Sequence, residues 1–338
     1  MIVAGVDEAG YGPTLGPLVV SAAAFRVPER LSRETGSADL WAALSSAVSR
    51  EKDPSRIRVD DSKRVFQQRK GLKDLEEGLL PFFAARGRGL PKDLRALIAR
   101  VSARRSSRAG SPADYLERYP WYRGRTLGIP VSTFASFAAS RGRMLEAALA
   151  DAGVEFLGLA SQPLEVFEFN EALERCKVKS RVSLRLVGSF LRRLWVRFPG
   201  EDVEVTVDRQ GGRARYGPIL YKLLGPRGIR TEEEAEAVSA YLLSRPRAPS
   251  AKGGGPGSFR VRFVVDAERL SLPAALASMC SKYIRELHMA LFNRFWTEKQ
   301  KGLKPTAGYV VDARRFLEET AALRESLRID DRLLVRRR

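Results

Sequence analysis

Three stretches of alternating or unbroken apolar residues each run into a carboxylate, and no other feature of the sequence restricts its fold as much. MIVAGVDE carries Asp7 and Glu8, DVEVTVD alternates strictly and ends in Asp208, and FRVRFVVD passes from alternating to apolar and ends in Asp266. A period of two specifies a strand with one face buried, and a short apolar run bounded by turn residues specifies a buried one. Strands therefore deliver four acids. A single Asp at a strand end commonly caps a turn or the next helix. Four of them on neighbouring strands would repel one another in a half-buried site unless a cation held them. Oxygen-only ligands select hard ions such as Mg²⁺ or Mn²⁺. Two such ions about 3.5 to 4 Å apart activate a water and steady the leaving oxygen of a phosphodiester without any histidine. From the residues alone, a metal-dependent nuclease is the indicated class.

Charge points the same way. The 338 residues contain 59 Lys and Arg against 40 Asp and Glu, a formal net charge of +19, and such an excess draws polyanions by counterion release and steering. Nucleic acid is the expected partner; the bland alternative is arginine used as general surface charge. A membrane surface would call for a basic amphipathic helix beside an apolar anchor, which the sequence lacks. Acids at positions 7 and 8 stand where a secretory signal needs an apolar run, so a cytoplasmic location is expected. His288 is the lone histidine and argues against His-assisted nucleophiles and multi-histidine metal sites. Cys176 and Cys280 have no metal or redox spacing and are expected to be free buried thiols. A 44% hydrophobic content suits a packed core, and a monomer is expected.

Along the chain, residues 2 to 6 and 17 to 25 predict strands joined by the turn GYGPTLG, hence an N-terminal hairpin. Residues 61 to 83 predict a helix capped near Asp61 or Ser62. Residues 86 to 108 hold eight basic residues (Arg86, Arg88, Lys92, Arg95, Arg100, Arg104, Arg105 and Arg108) against Asp93, the mark of an exposed insertion. Residues 175 to 197 also hold eight, with no acid, on a helix whose other face is apolar. Residues 209 to 258, which end in AKGGGPGS, predict a linker or flap. Residues 272 to 295 predict a strong helix, and Val335 to Arg338 a frayed tail. The expected organisation is a core in three parts (1–85, 156–208 and 259–338) interrupted by a basic helical insertion at 86–155 and a Gly/Pro/Arg-rich one at 209–258.

GVDEAGYGPTLGPLVVSAAAF resembles the opening signature of type 2 ribonuclease H, ribonuclease HII. That signature is an apolar strand, Asp-Glu-Ala-Gly, a second Gly two residues on, then Gly-Pro and another apolar strand. DDSKRVFQQRKGL, VTVDRQ, FVVDAERLSLPAALASMCSKYIRE and AGYVVDARRF follow in the family's order and are similar to its remaining motifs. The resemblance implies an α/β, RNase H-like fold with a central mixed sheet flanked by helices. It implies endonucleolytic cleavage of RNA in RNA–DNA hybrids, or at embedded ribonucleotides, leaving 5′-phosphate and 3′-hydroxyl ends with two Mg²⁺ or Mn²⁺ ions. It implies Asp7, Glu8, Asp208 and Asp266 as catalytic metal ligands and Gly10, Tyr11 and Gly12 as the loop that meets the ribose 2′-hydroxyl. Tyr309 would stack on the neighbouring sugar, with Lys63 and Lys282 near phosphates.

Three departures stand out. The family's Gly-Arg-Gly loop is Gly10-Tyr11-Gly12 here, its Gly after the third acid is Arg209, and its His beyond the late Tyr is Arg314. Glycine lets backbone amides and carbonyls approach a ribose closely, so cleavage can survive the first change while preference for a single ribonucleotide is weakened. The rival readings are a DNA-junction nuclease of the same superfamily, which shares the metal chemistry, and a non-catalytic nucleic-acid-binding protein. Four retained acids oppose the second, since an idle acidic cluster hinders polyanion binding. Gly10, Gly12 and Gly16 do not have the spacing of a dinucleotide-binding turn.

Overall fold

The computed structural model describes residues 1–31, 38–85, 87, 89–103, 111–245 and 257–337. Seven strands among them form one sheet: β1 (Ile2–Ala9), β2 (Leu18–Arg26), β3 (Glu155–Leu164), β4 (Val203–Asp208), β5 (Gly228–Glu234), β6 (Val238–Ser244) and β7 (Phe259–Val264), in the order β3-β2-β1-β4-β7-β6-β5. β1, β4 and β7 run parallel at the centre, while β2 and β3 on one side and β6 and β5 on the other are antiparallel additions. The sheet is mixed and has helices on both faces, as the resemblance implies.

Alternation assigns the faces. Val3, Val19, Ala23 and Phe25 join one buried cluster, while Ile2, Ala4, Val6, Leu18 and Val20 join the other. The helices include α1 (Ser62–Val65), α2 (Lys73–Ala84), α3 (Leu94–Val101), α4 (Ala135–Ala152), α5 (Val166–Cys176), α6 (Lys179–Arg197), α7 (Gly217–Leu224), α8 (Ala267–Leu270), α9 (Leu272–Lys299) and α10 (Val310–Glu319). The first face lies under α9, α2 and α4, and the second under α5, α6 and α7. β1 and α9 touch backbone to backbone at Gly5, where a Cβ would come 2.0 Å from the Ala274 amide nitrogen.

Several expectations need correction. The helix expected over 61–83 is broken: Asp61 does cap α1 by accepting from the Lys63 amide at 2.8 Å, but Phe66 is extended and Gly71 takes φ +63 before α2 begins. The basic segment from 86 is not simply exposed. Leu94, Leu97, Ile98 and Val101 of α3 are buried, as are Tyr119, Trp121 and Tyr122, and Trp121 packs on Phe292 with ring centroids 5.2 Å apart. Arg95 pairs with Glu117 and Arg100 donates to the Phe83 carbonyl at 3.0 Å. Arg86, Arg88, Arg104, Arg105 and Arg108 lie outside the described residues.

The stretch from 209 supplies α7 and the β5–β6 hairpin, which extends the sheet instead of forming a flap; residues 246–256 and Arg338 lie outside the described residues. β3 had no expectation at all, because EFLGLASQPL neither alternates cleanly nor runs apolar. Val335 to Arg337 are not frayed. Arg336 is buried, 3% exposed, with its guanidinium against the Gly10–Gly16 turn. Cys280 is buried, whereas Cys176 is only partly so. Among the described residues no helix is long and apolar enough to cross a membrane.

Candidate active site

The parallel register fixes the centre of the site. Val6 pairs with Val207, so Asp7 and Asp208, the next residues, stand side by side at the carboxyl ends of β1 and β4, the edge where open α/β sheets bind ligands. Asp208 in turn pairs with Val264, which puts Asp266 two residues past the end of β7. Asp266 adopts φ +53, a left-handed conformation that Asp tolerates better than most residues, and its carboxylate is half-exposed 3.5 Å from Arg269. Strand alternation separates the adjoining acids. Asp7, like Val3, faces α9; Glu8, like Val6, faces α6.

Each acid has a distinct environment. Asp7 is raised well above the usual carboxylate range, first by burial and then by the charge of Asp208; a Ser278 hydroxyl and the Glu8 amide, 2.6 Å from its Oδ1, oppose this. Burial also raises Asp208, while the Ala267 amide and Lys63 pull it down and Asp266 adds to the rise. Glu8 is raised by burial and held by donors on the other face: the Ser183 hydroxyl donates to its Oε2 and the Gln210 amide does so at 3.1 Å. Gln210 also donates to Ser183 at 2.8 Å, so the two form one clamp.

Near these acids the structure places groups that the sequence reading did not single out. Glu268, on the first turn after Asp266, is 3% exposed and is raised by burial and then by Asp208 and Asp61, a fifth carboxylate on the Asp7 face. Ser281 donates to the Asp7 carbonyl at 3.1 Å, and the Ser278 and Ser62 hydroxyls share a hydrogen bond at 2.9 Å, tying α9 to the strand end and to α1. Gln210 stood within VTVDRQ and Ser183 on the basic helix, but nothing in a linear pattern shows that both reach Glu8.

The expected substrate-binding residues divide. Gly10 takes φ +82 and packs so closely that a Cβ would fall 2.5 Å from the Pro17 carbonyl. Tyr11 is partly buried with the Lys179 ammonium 4.9 Å above its ring, and Gly12 lies under the Tyr309 ring, 3.9 Å from where its Cβ would be. Gly308 accepts from the Thr14 and Leu15 amides at 2.8 and 3.1 Å, which joins the two loops, and Tyr309 is half-exposed above them. Lys63 lies on the acid edge with an exposed ammonium 3.9 Å from Glu268. Burial would lower it, but Asp61, Glu268, Asp7 and Asp208 together raise it. Lys282 is turned aside, paired with Glu286 at 2.8 Å and 4.3 Å over the Phe66 ring.

As the side chains stand, no three His, Cys, Asp or Glu among the described residues form a set able to hold a metal ion. Glu8 is held on the opposite face by Ser183 and Gln210, and Asp266 leans to Arg269. The donor chemistry nonetheless fits a hard cation. Asp7 and Asp208 offer oxygens only, and their mutual repulsion and burial both favour a positive charge between them.

No family model matches the chain, and no curated protein does. Solved structures similar to it include the ribonuclease HII of Archaeoglobus fulgidus in its complex with PCNA (16% identity over 100% of this chain and 95% of that one, TM-score 0.41). Ribonuclease H2 of Pyrococcus horikoshii is similar too (15%, 99% and 92%, TM-score 0.40), as is ribonuclease H3 of Aquifex aeolicus (14%, 98% and 70%, TM-score 0.35).

Proposed function

We propose that this chain is a divalent-metal-dependent endonuclease that hydrolyses the RNA strand, or embedded ribonucleotides, of RNA–DNA hybrid duplexes, leaving 5′-phosphate and 3′-hydroxyl ends. The observation that carries the reading is the pair of Asp7, buried, and Asp208, partly buried, side by side at the ends of adjoining parallel strands within the motif order quoted above. Asp7 and Asp208 would hold Mg²⁺ or Mn²⁺, and Glu8 and Asp266 would join them only by turning away from Ser183 and Gln210 and from Arg269. The bound ions supply Lewis acidity toward the scissile phosphate and a water acidic enough to attack it.

The chain's own residues do the rest. Ser183 and Gln210 fix the Glu8 carboxylate at the far side of the strand end. Lys63 brings a positive charge to the open edge, where a phosphate would approach. The Gly10–Gly12 backbone, free of side-chain bulk at both glycines, can meet a ribose 2′-hydroxyl, and the Tyr309 ring beside Gly12 offers a surface for the neighbouring sugar. The exposed basic residues of α6 (Arg181, Arg185, Arg192, Arg193 and Arg197) would follow the phosphates of a duplex whose cleaved strand lies across the acids.

The deciding assay compares four duplexes with purified protein and Mg²⁺ or Mn²⁺: one with a single ribonucleotide, a continuous RNA–DNA hybrid, an all-DNA linear duplex and an all-DNA branched one. Cleavage of the first two at a ribose, with 5′-phosphate products and none in chelator, is expected. Cleavage of branched DNA as readily as hybrid would replace this reading with a junction nuclease.

A further inference from the structure

Gly10 and Gly16, at the ends of the turn that follows the acids, both have positive φ, +82 and +76, and both are packed too tightly for a Cβ. The glycines at its two ends have no side chains with which to fix its shape, and their inward carbonyls need donors. One buried residue from the far end of the chain supplies them. Arg336 Nη1 donates to the Gly10 carbonyl at 2.6 Å, Nε donates to the Gly16 carbonyl at 2.8 Å, and Nη2 donates to the same oxygen. The planar fork thus spans both ends of the turn.

The rest of the tail is built to deliver it. The Arg336 amide donates to the Thr14 carbonyl at 2.9 Å, and Asn170 of α5 brackets the residue by donating to the Val335 carbonyl at 2.9 Å and accepting from the Arg337 amide at 2.8 Å. The guanidinium lies 5.0 Å over the Phe169 ring. Thr14 and Leu15 in turn hold Gly308, and Arg285 donates to the neighbouring Ala307 carbonyl at 2.9 Å. The turn, the Tyr309 loop and the C-terminus are one connected unit.

We infer that Arg336 is a positioning residue: by bridging the Gly10 and Gly16 carbonyls it sets the backbone of the turn that meets the substrate ribose, and so sets discrimination between ribose and deoxyribose without touching the reacting atoms. The inference rests on the proposed function for what the turn reads, but not for the bridge itself. A merely structural residue would lower stability and all substrate affinities together. A positioning residue moves the ribose-to-deoxyribose ratio.

The test uses the full chain as wild type, Arg336→Ala, Arg336→Lys and, as a control on the same tail, Arg337→Ala, whose side chain pairs with the exposed Glu174. Amide exchange at Thr14 and Leu15, which donate to the Gly308 carbonyl, reads opening of the turn that the bridge holds and should speed up by about tenfold or more in Arg336→Ala, and hardly at all in Arg337→Ala. Binding is then measured in Ca²⁺ to a duplex with one ribonucleotide and to its all-DNA counterpart. The affinity ratio should fall by about tenfold in Arg336→Ala, the scale of a lost charge-assisted hydrogen bond, with all-DNA affinity within about twofold of wild type. Arg336→Lys, which keeps the charge and loses the fork, should fall between, and it provides the same readings if the alanine variant does not fold. Unchanged exchange at Thr14 and Leu15 overturns the inference. So does an unchanged ratio in a variant whose exchange has risen, with the proposed function left standing. A wild type that does not distinguish ribose from deoxyribose removes the proposed function and this inference with it.

Discussion

Replacing Asp208 by Asn should stabilise the metal-free protein and abolish its stabilisation by metal, two opposite effects of one substitution. Neighbouring strands are about 4.8 Å apart, so the Asp7 and Asp208 carboxylates face each other across about 5 to 6 Å. At an effective dielectric of about 20 that repulsion is about 3 kcal/mol. Lys63 already offsets part of it and Asp208 retains some exposure to solvent, so about 1 to 2 kcal/mol is the expected relief. Asn still offers an oxygen to the Ala267 amide, which sits 3.4 Å from Asp208 Oδ1. The entropy of unfolding scales with length and for 338 residues is about 0.7 kcal/mol/K. The metal-free Tm should therefore rise by about 1.5 to 3 °C.

Metal acts in the opposite order. An ion at ten times its Kd adds RT ln 11, about 1.4 kcal/mol, which is about 2 °C in the wild type. The variant lacks the ligand and should not respond. Thermal unfolding of both proteins in chelator and across a Mg²⁺ or Mn²⁺ titration makes the comparison, with hybrid cleavage measured in parallel and expected to vanish in the variant. A variant less stable than wild type in chelator, or one that keeps the full metal-dependent shift, would refute the account of Asp7 and Asp208 as a repelling pair that a cation joins.

Gly5→Ala should destabilise the fold by about 3 kcal/mol or more, because its Cβ would lie 2.0 Å from the Ala274 amide nitrogen and strand and helix would have to part; denaturant unfolding checks this. Arg185→Glu combined with Arg192→Glu, both on the exposed face of α6, should weaken hybrid binding and reduce the slope of log affinity against log salt by about 2, with cleavage positions unchanged on a sequencing gel. Glu165, buried where Tyr122 donates to it at 2.8 Å and where Glu168, Arg336 and His288 also face it, is pushed up to about 8, first by burial. A raised carboxyl contributes stability in full below its unfolded value of 4.5 and loses it as pH rises through 8. Stability measured from pH 5 to 8.5 should therefore decline less in Glu165→Gln than in wild type, and parallel curves would contradict the assignment.

What was legible in the sequence was whatever repeats with a short period. DVEVTVD and FRVRFVVD announce strands because alternate residues meet different surroundings, and the register of parallel neighbours then brings Asp7 and Asp208 together without further information. The same alternation implies that Asp7 and Glu8 point to opposite faces, a consequence visible only once both faces are covered. The bias of 86–108 toward arginine hid buried residues such as Leu97 and Ile98, because charge counts do not show which helix face is turned inward. Gly-rich composition after 209 hid the β5–β6 hairpin, where VSAYLLS pairs with GIRTEEE at the sheet edge. Arg336 was unreadable for a different reason. Its partners, Gly10 and Gly16, are more than 300 residues away, and no local pattern distinguishes a guanidinium that will be buried from one that will be solvated.

That long-range contact bears on how the chemistry and the choice of substrate are divided. Asp7 and Asp208 owe their positions to strand pairing and to the core beneath it, where displacing β1 would break the backbone contact at Gly5. The turn that follows is tied to the core through Leu15 and not by strand pairing. With Gly10 and Gly16 in left-handed conformations it is flexible by composition, and its shape comes from Arg336, from Gly308 and from the Arg285 side chain passing behind Gly10. A substitution in the core of the sheet should then change whether the protein cleaves, while one in the last residues should change what it prefers to cleave. Tyr11 occupies the middle of the turn, and the Arg336 guanidinium that holds the turn's backbone approaches from behind it. On the proposed function, the side of the turn that would face the substrate is left to backbone amides, the Tyr11 ring and Tyr309, groups that distinguish a sugar by shape and hydrogen bonding rather than by charge.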